Sequence, residues 1–210
     1  LARDGYVLTN RLAVLLYAYR EWLAKYPDSN RIFLRNGKYY EEGEVFRQPE
    51  LSETLTRISK EGAKDFYTGK TAQMIADDMK ANNGLITLED LKNYVAKERE
   101  PLKGTYRGHE IISMPPPSSG GIVMLQVLNM LEAYDVRAMG SGSSAKFHVL
   151  AEAMRRSFAD RAEYMADPDF ADVPVAKLID KKYAAERRAT INLEKASASK
   201  DIKWGEVSTS

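Results

Sequence analysis

Cysteine is absent from this chain of 210 residues, which excludes disulfides, thiolate metal ligands and every cysteine-nucleophile mechanism. Histidine is almost as scarce, with two residues. An excess of charge of either sign is lacking too: 31 Lys and Arg stand against 30 Asp and Glu, for a net charge of +1. That balance supplies no clustered positive field, so no nucleic-acid or anionic-membrane partner is expected. No apolar run approaches the roughly 18 residues of a membrane span. An initiator Met and a signal-peptide pattern are also lacking, and the opening Leu1-Ala2-Arg3-Asp4 reads like the interior of something longer. What the chain does have is 44% hydrophobic residues, enough for a packed core and too many for a disordered chain. Its length fits one to two domains at about 150 residues each, and it shows no internal repeat.

The apolar periodicity predicts mostly helices. Leu12, Leu15, Leu16, Tyr19 and Leu23 share one face of a helix over Thr9 to Tyr26, with Pro27 as its stop. Arg31 to Arg35 and Lys38 to Tyr40 flank Asn36-Gly37 and read as a β-hairpin, because both turn residues tolerate positive φ. A helix from Pro49 turns Leu51, Leu55 and Ile58 inward and stops at Gly62. Another over Thr71 to Asn82 carries Ala72, Ile75, Ala76 and Met79 as a stripe, and Thr87-Leu88-Glu89-Asp90 has the form of a capping box. Leu102 to Met114 holds two short extended runs around Arg107-Gly108-His109. Ile122 to Tyr134 is apolar nearly all round, so it should be buried and pack against the next helix. That helix, the longest, runs from Ser144 to Ala166. It places Phe147, Leu150, Ala151, Met154, Phe158 and Met165 inward, and the pairs Glu152–Arg156 and Arg156–Asp160 on its wet face. Short helices near Val175–Ile179 and Tyr183–Ile191 follow. The expected class is mainly α with a smaller β part: one mostly helical domain over residues 1–193 with a β-hairpin and a short strand pair, then a loosely held polar tail over 194–210.

The inventory of reactive groups is thin. His109 sits at a turn and His148 on the long helix, and neither has a Ser or Asp partner in a recognisable motif. Asp167, Asp169 and Asp172 suggest a calcium loop, but its glycine and glutamate positions hold Asp172 and Leu178, so turn-making carboxylates are the better account. Gly140-Ser141-Gly142 lacks a third glycine and a preceding strand, which argues against a nucleotide site. Asp77-Asp78 reads as a solvated helix edge. No catalytic residue, substrate-binding residue, metal ligand or cofactor site is assigned. One segment stands apart: Pro115, Pro116, Pro117, Ser118, Ser119, Gly120 and Gly121 join an apolar strand to a buried helix. Prolines hold the lead-in extended, and glycines expose backbone N–H groups at a positive helix end. Two readings stay open for it: a tight structural junction near a site, or direct contact with a carboxylate or another chain segment.

The same segment carries a resemblance. Tyr106-Arg107-Gly108, Ile111 to Met114 and Pro115 to Gly121 resemble the gamma-glutamyltransferase (gamma-glutamyltranspeptidase) family. Asp65-Phe66-Tyr67-Thr68-Gly69 is similar to its D-x-F-Y-x-G stretch, and Gly84 to Leu91 to its G-G-L-I-T-x-E-D-L. Glu152-Ala153, Ala159-Asp160-Arg161 and Ala166-Asp167-Pro168-Asp169-Phe170 are similar to its E-A…A-D-R…G-D-P-x-F block, with Ala166 in place of the usual glycine. Leu1 to Gly5 resembles an internal family stretch.

The resemblance implies a precursor of the N-terminal-nucleophile hydrolase class that cuts itself into a large and a small subunit. The small subunit's new N-terminal threonine attacks a γ-glutamyl amide, and the glutamyl group passes to water or to an acceptor amine. The chain is similar to the C-terminal part of the large subunit, before the processing site. Implied partners are the small subunit of the same precursor, glutathione or other γ-glutamyl compounds, and acceptor amino acids or peptides. The fragment is expected to be inactive alone and to self-associate through uncovered apolar surface. Thr209 has no family motif around it and is not assigned as the nucleophile. A periplasmic or secreted location is what the family favours. A cephalosporin-acylase-like or poly-γ-glutamate-processing member of the family, and a catalytically silent helical scaffold, are the alternatives.

Overall fold

The computed structural model describes residues 1–207, so Thr209 lies outside the described residues. The chain divides into two compact units, Leu1–Ala96 and Lys97–Ser210, instead of the single domain expected over 1–193. The fold class is as expected, mainly helical with two small antiparallel sheets.

In the first unit, strand β1 (Tyr6–Val7) pairs with β2 (Val45–Phe46). Thr9 caps helix α1 (Asn10–Ala18). The single helix expected over Thr9 to Tyr26 breaks at Tyr19, where Arg20 donates to the Tyr17 carbonyl at 2.9 Å, and restarts as α2 (Arg20–Leu23). In α1 only Ala13 is buried; of the expected face, Leu12, Leu15 and Tyr19 are exposed and Leu16 and Leu23 are half-buried. The hairpin expected at Asn36-Gly37 is not there. Pro27 begins a helix instead of ending one, because its missing N–H costs nothing at the first helical position. That helix, α3, spans Pro27–Leu34 and ends in a left-handed Arg35, at φ 47°. The tolerance of Asn36-Gly37 for positive φ is used to close a helix, not to turn a ribbon. Arg35 then forms a forked pair with Glu44 at 2.9 and 2.8 Å.

Helix α4 (Pro49–Glu61) stops at Gly62, φ 67°, as expected, but Leu51 and Leu55 are exposed rather than inward. A short helix α5 (Ala63–Thr68) leads into α6 (Lys70–Ala81), whose Ala72 stripe is buried or half-buried as the spacing predicted. The stretch Asp65-Phe66-Tyr67-Thr68-Gly69 has a structural account here. Buried Asp65 accepts from the Thr71 amide and hydroxyl and so caps α6, while a Cβ on Gly69 would sit 2.7 Å from the Asp65 Cα. Thr87 and Asp90 form the expected capping box on α7 (Leu88–Asn93).

The second unit opens with strands β3 (Leu102–Tyr106) and β4 (His109–Ser113), paired antiparallel from Leu102↔Ser113 to Tyr106↔His109. Arg107 and Gly108 both have positive φ, which matches the ribbon's twist. Helix α8 (Gly120–Leu131) buries Ile122 and Leu125 against Leu102, Val173, Leu178 and Tyr183. Each large side chain buried this way contributes roughly 1.5–3 kcal/mol. Helix α9 (Ser144–Tyr164) packs on α8, with Ala153 meeting Met130 in a second cluster that includes Ala184. Helices α10 (Val175–Leu178) and α11 (Lys181–Ala189) complete the unit, near the expected positions.

Between β4 and α8 the proline run is a turn rather than a continuous extended lead-in. Ser118 N–H donates to Pro115 O at 3.2 Å across a cis Pro116–Pro117 peptide. The two glycines differ. A Cβ on Gly121 would lie 2.6 Å from Met114 O and 2.9 Å from Leu102 Cδ2, whereas one on Gly120 would meet only Ser118 Oγ at 3.6 Å. Close approach is therefore a property of Gly121 and not of the pair. Gly121→Ala should lower stability by about 2 kcal/mol by overpacking. Gly120→Ala should be neutral or stabilise by up to about 1 kcal/mol, as glycine replacement in a helix does. Urea unfolding of the two variants side by side checks the contrast.

Candidate functional site

Helix α9 turns its charged side inward. Glu152, Arg156 and Asp160 recur at helical spacing, and all three are buried, at 0%, 3% and 1% exposure. Val149, Ala153 and Ser157 fill the same face. Of the apolar residues expected inside, Phe147, Met154 and Phe158 are exposed, while Leu150, Ala151 and Met165 are half-buried. The expected wet face is therefore the buried one, and half of the expected apolar face is exposed. The reason is chemical: the carboxylates and guanidinium find enough partners inside to offset their desolvation, and the small Ala153 and Ser157 let neighbouring elements come close.

Glu152 is the most heavily bonded of them. Its Oε2 accepts from Arg156 Nη1 at 2.7 Å and from Ser197 Oγ at 2.6 Å, and its Oε1 accepts from the Ser197 amide at 2.9 Å and from Arg155. Burial pushes its carboxyl up, but the bonds from Ser197 and Arg156 outweigh that and hold it at about 2. Arg156 spends its remaining donors on Thr190, with Nε to Oγ1 and Nη2 to the carbonyl, both at 2.6 Å.

Asp160 joins four segments. Its Oδ2 accepts from Gln126 Nε2 of α8 at 3.1 Å and from Tyr183 Oη of α11 at 2.9 Å. Its Oδ1 accepts from the Gly205 amide at 2.9 Å and pairs with Arg187 at 3.0 Å. Burial and the Asp160 charge raise the Tyr183 hydroxyl above its ordinary range, so it stays a donor. Arg187 also donates to the carbonyls of Arg156 and Lys203.

Through these bonds the polar stretch after residue 193 is held. Ser197 sits on Glu152, Gly205 on Asp160, the Gly205 carbonyl accepts from Tyr164 Oη at 2.7 Å, and Val207 packs on the α8 cluster. The loose tail expected from composition is thus tied down through Val207. A cleft of about 750 Å³ lies beside it, lined by Arg156, Arg187, Ser197 and Trp204 among others.

The other sequence-flagged residues take structural roles. Pro116 is buried, and Ser119 at the start of α8 accepts from Arg161 of α9 at 2.8 Å. Arg107 donates through its amide to Glu132 at 2.7 Å and through Nη2 to Tyr134 O at 2.6 Å, and Glu132 also holds Lys181. Asp169 pairs with Lys97 and Arg99, which lower its carboxyl below the usual range, and Arg99 also reaches Asp167. His148 contacts the Asn192 carbonyl at 2.7 Å, and His109 lies exposed on β4. None of these places a hydroxyl nucleophile beside a base. The arrangement holds chain segments together. Ser197 and Gly205 were not singled out by sequence reasoning. The available signal was Glu-x-x-x-Arg-x-x-x-Asp with alanine and serine on the same face, a stripe too small and too costly to be a solvated edge alone.

A family model described as gamma-glutamyltranspeptidase matches residues 1–209. The glutathione hydrolase proenzyme of Escherichia coli (strain K12) is 42% identical over 208 residues, 99% of this chain and 36% of that protein. The acylase ACY 1 proenzyme of Pseudomonas sp. (strain V22) is 45% identical over 198 residues, 94% of this chain and 36% of that protein. Among solved structures, the Helicobacter pylori gamma-glutamyltranspeptidase superposes with a TM-score of 0.91 at 47% identity, over 98% of this chain and 59% of that one. The chain therefore spans about a third of the length of the curated relatives it matches, 36% in both cases.

The low carboxyl of Glu152 makes stability depend on pH with a defined sign. A depressed folded value contributes stability above the ordinary 4.5 and loses it as pH falls toward about 2. The shift corresponds to about 3 kcal/mol. Urea midpoints measured from pH 5 to pH 2 should fall steeply for the native chain, and Glu152→Gln should be less stable at pH 5 and flatter across the window.

Proposed function

Because the chain belongs to the gamma-glutamyltranspeptidase family, we propose that it is the C-terminal part of the large subunit of an enzyme that transfers or hydrolyses the γ-glutamyl group of glutathione and related γ-glutamyl amides. The observation that carries this is the family match across residues 1–209, together with 42% identity to a glutathione hydrolase over nearly the whole chain. The nucleophile is a threonine at the start of a separate small subunit, with its hydroxyl and its amine on one residue. The amine takes the hydroxyl proton and the oxygen attacks the γ-carbonyl; the γ-amide C–N bond then breaks as that proton passes to the leaving nitrogen, and the resulting glutamyl ester is transferred to water or to an acceptor amino acid or peptide.

The part played by this chain is to support that site. What supports this is that the buried carboxylates Glu152 and Asp160 are saturated with donors that come from other segments of the same unit. The exposed Phe147, Met154 and Phe158 on α9 support a second chain covering that face, and in its absence the fragment self-associates. Pro116, Pro117, Ser118, Ser119, Gly120 and Gly121 form a structural junction near the site, and the segment from residue 194 leads to the processing point. A periplasmic or secreted location fits this family reading.

A second reading is favoured by one observation, the 45% identity to an acylase. The same scaffold would then serve hydrolysis of a cephalosporin side-chain amide. The test uses the full-length protein and this chain, each incubated with a γ-glutamyl anilide and with an acyl-cephalosporin. The full protein should release the aniline and this chain alone should release nothing. Preference for the cephalosporin would replace the first reading with the second, and turnover by the chain alone would place a catalytic group within it.

A further inference from the structure

Two carboxylates on one helix grip the backbone of one segment at two points. Glu152 takes the amide of Ser197 and Asp160 takes the amide of Gly205, both at 2.9 Å. Along α9 the two acids are ~12 Å apart, while the same number of residues fully extended would span ~26 Å. A 3-10 turn at Ser199–Asp201 takes up part of the excess, about 4 Å. Since the lower-numbered acid takes the lower-numbered amide, the segment runs parallel to α9.

The register is exclusive. A Cβ on Gly205 would lie 2.4 Å from Tyr183 Oη, 2.7 Å from Arg187 Cδ and 2.9 Å from Tyr183 Cζ. A slip of one residue would put Trp204 or Glu206 into a space that admits only glycine. Both backbone polar groups of Gly205 are spent, on Asp160 and Tyr164, and the Lys203 carbonyl is held by Arg187. The backbone around Gly205 is therefore set from inside the second unit.

We propose that Glu152 and Asp160 are positioning residues for self-cleavage of the precursor, with Gly205 as the pin that fixes the register of the segment entering the processing point. The inference rests on the two-subunit reading above. In that cleavage the threonine hydroxyl adds to the carbonyl carbon of the residue before it, and the C–N bond breaks as the hydroxyl proton passes to nitrogen. Water then splits the ester into a carboxylic acid and the free hydroxyl. The hydroxyl must wait about 3–3.5 Å from the carbonyl carbon, and a misplacement of about 1 Å costs on the order of a hundredfold. Buried charged acceptors suit that demand, because they hold amides more tightly than neutral groups do.

The experiment follows the cut fraction of full-length precursor over time for wild type, Gly205→Ala and Ser197→Ala. The same variants are also produced as two separate chains already divided at the processing point. Gly205→Ala should slow cleavage at least about tenfold. Ser197→Ala, which loses the hydroxyl contact but keeps the amide, should slow it by a smaller factor. The pre-divided forms should turn over a γ-glutamyl anilide within about twofold of wild type, a separation that general structural damage would not produce. Cleavage of both variants at the wild-type rate overturns the proposal, as does a parallel loss of turnover in the pre-divided forms. If Gly205→Ala shows no cooperative melt, Ser197→Ala decides by the same two readouts. A wild-type precursor that never cuts itself overturns the two-subunit reading, and a wild type that cuts while its variants cut equally well overturns only the positioning role.

Discussion

The second unit is organised around two buried carboxylates that must be satisfied wherever they go. A desolvated carboxylate without partners costs several kcal/mol, and removing one partner of such a pair costs about 3–5 kcal/mol. Glu152 and Asp160 therefore dictate what surrounds them. Arg156 and Arg187 come in as counter-charges, Gln126 and Tyr183 as neutral donors, and the Ser197 and Gly205 amides close the remaining positions. This set draws α8, α9, α11 and the last described segment to a common point. Hydrophobic burial supplies most of the free energy, but the carboxylates choose which elements meet.

The same constraint explains the odd outer surface of α9. With Glu152, Arg156 and Asp160 inside, the outward side of the helix carries Phe147, Met154 and Phe158 beside charged residues such as Arg161 and Glu163. An amphipathic pattern states that a helix has two faces and does not say which is covered by its own chain. Sequence reasoning assigns the apolar face inward by default, and for Phe147, Met154 and Phe158 that default fails. Leu51 and Leu55 on α4 fail in the same way.

Other features were legible because their causes are local. The Thr87–Asp90 box, the Gly62 stop, the turn at Arg107-Gly108 and the buried α8 each follow from residues within a few positions of one another. Asn36-Gly37 is a local signal with two solutions, since the left-handed conformation that closes a hairpin also closes a helix, and Pro27 decides for the helix. The junction stands out in the sequence, and the structure shows that the need for glycine is confined to Gly121. What could not be read were the long-range partners. Ser197 and Gly205 are ordinary residues in a polar stretch, and their importance comes from Glu152 and Asp160, a separation in sequence that no periodicity spans.

That separation has a consequence for how the protein is made. A chain emerging from the ribosome presents α8 and α9 well before Gly205 exists. Until then the two acids of α9 must stay hydrated, because the amides that complete their coordination have not been synthesised. The inner face of α9 can close only when the last segment arrives, so the unit is finished from its C-terminal side. Any nascent chain stalled short of Gly205 carries an open, wet core, and quality control would see it as unfinished however complete its helices are.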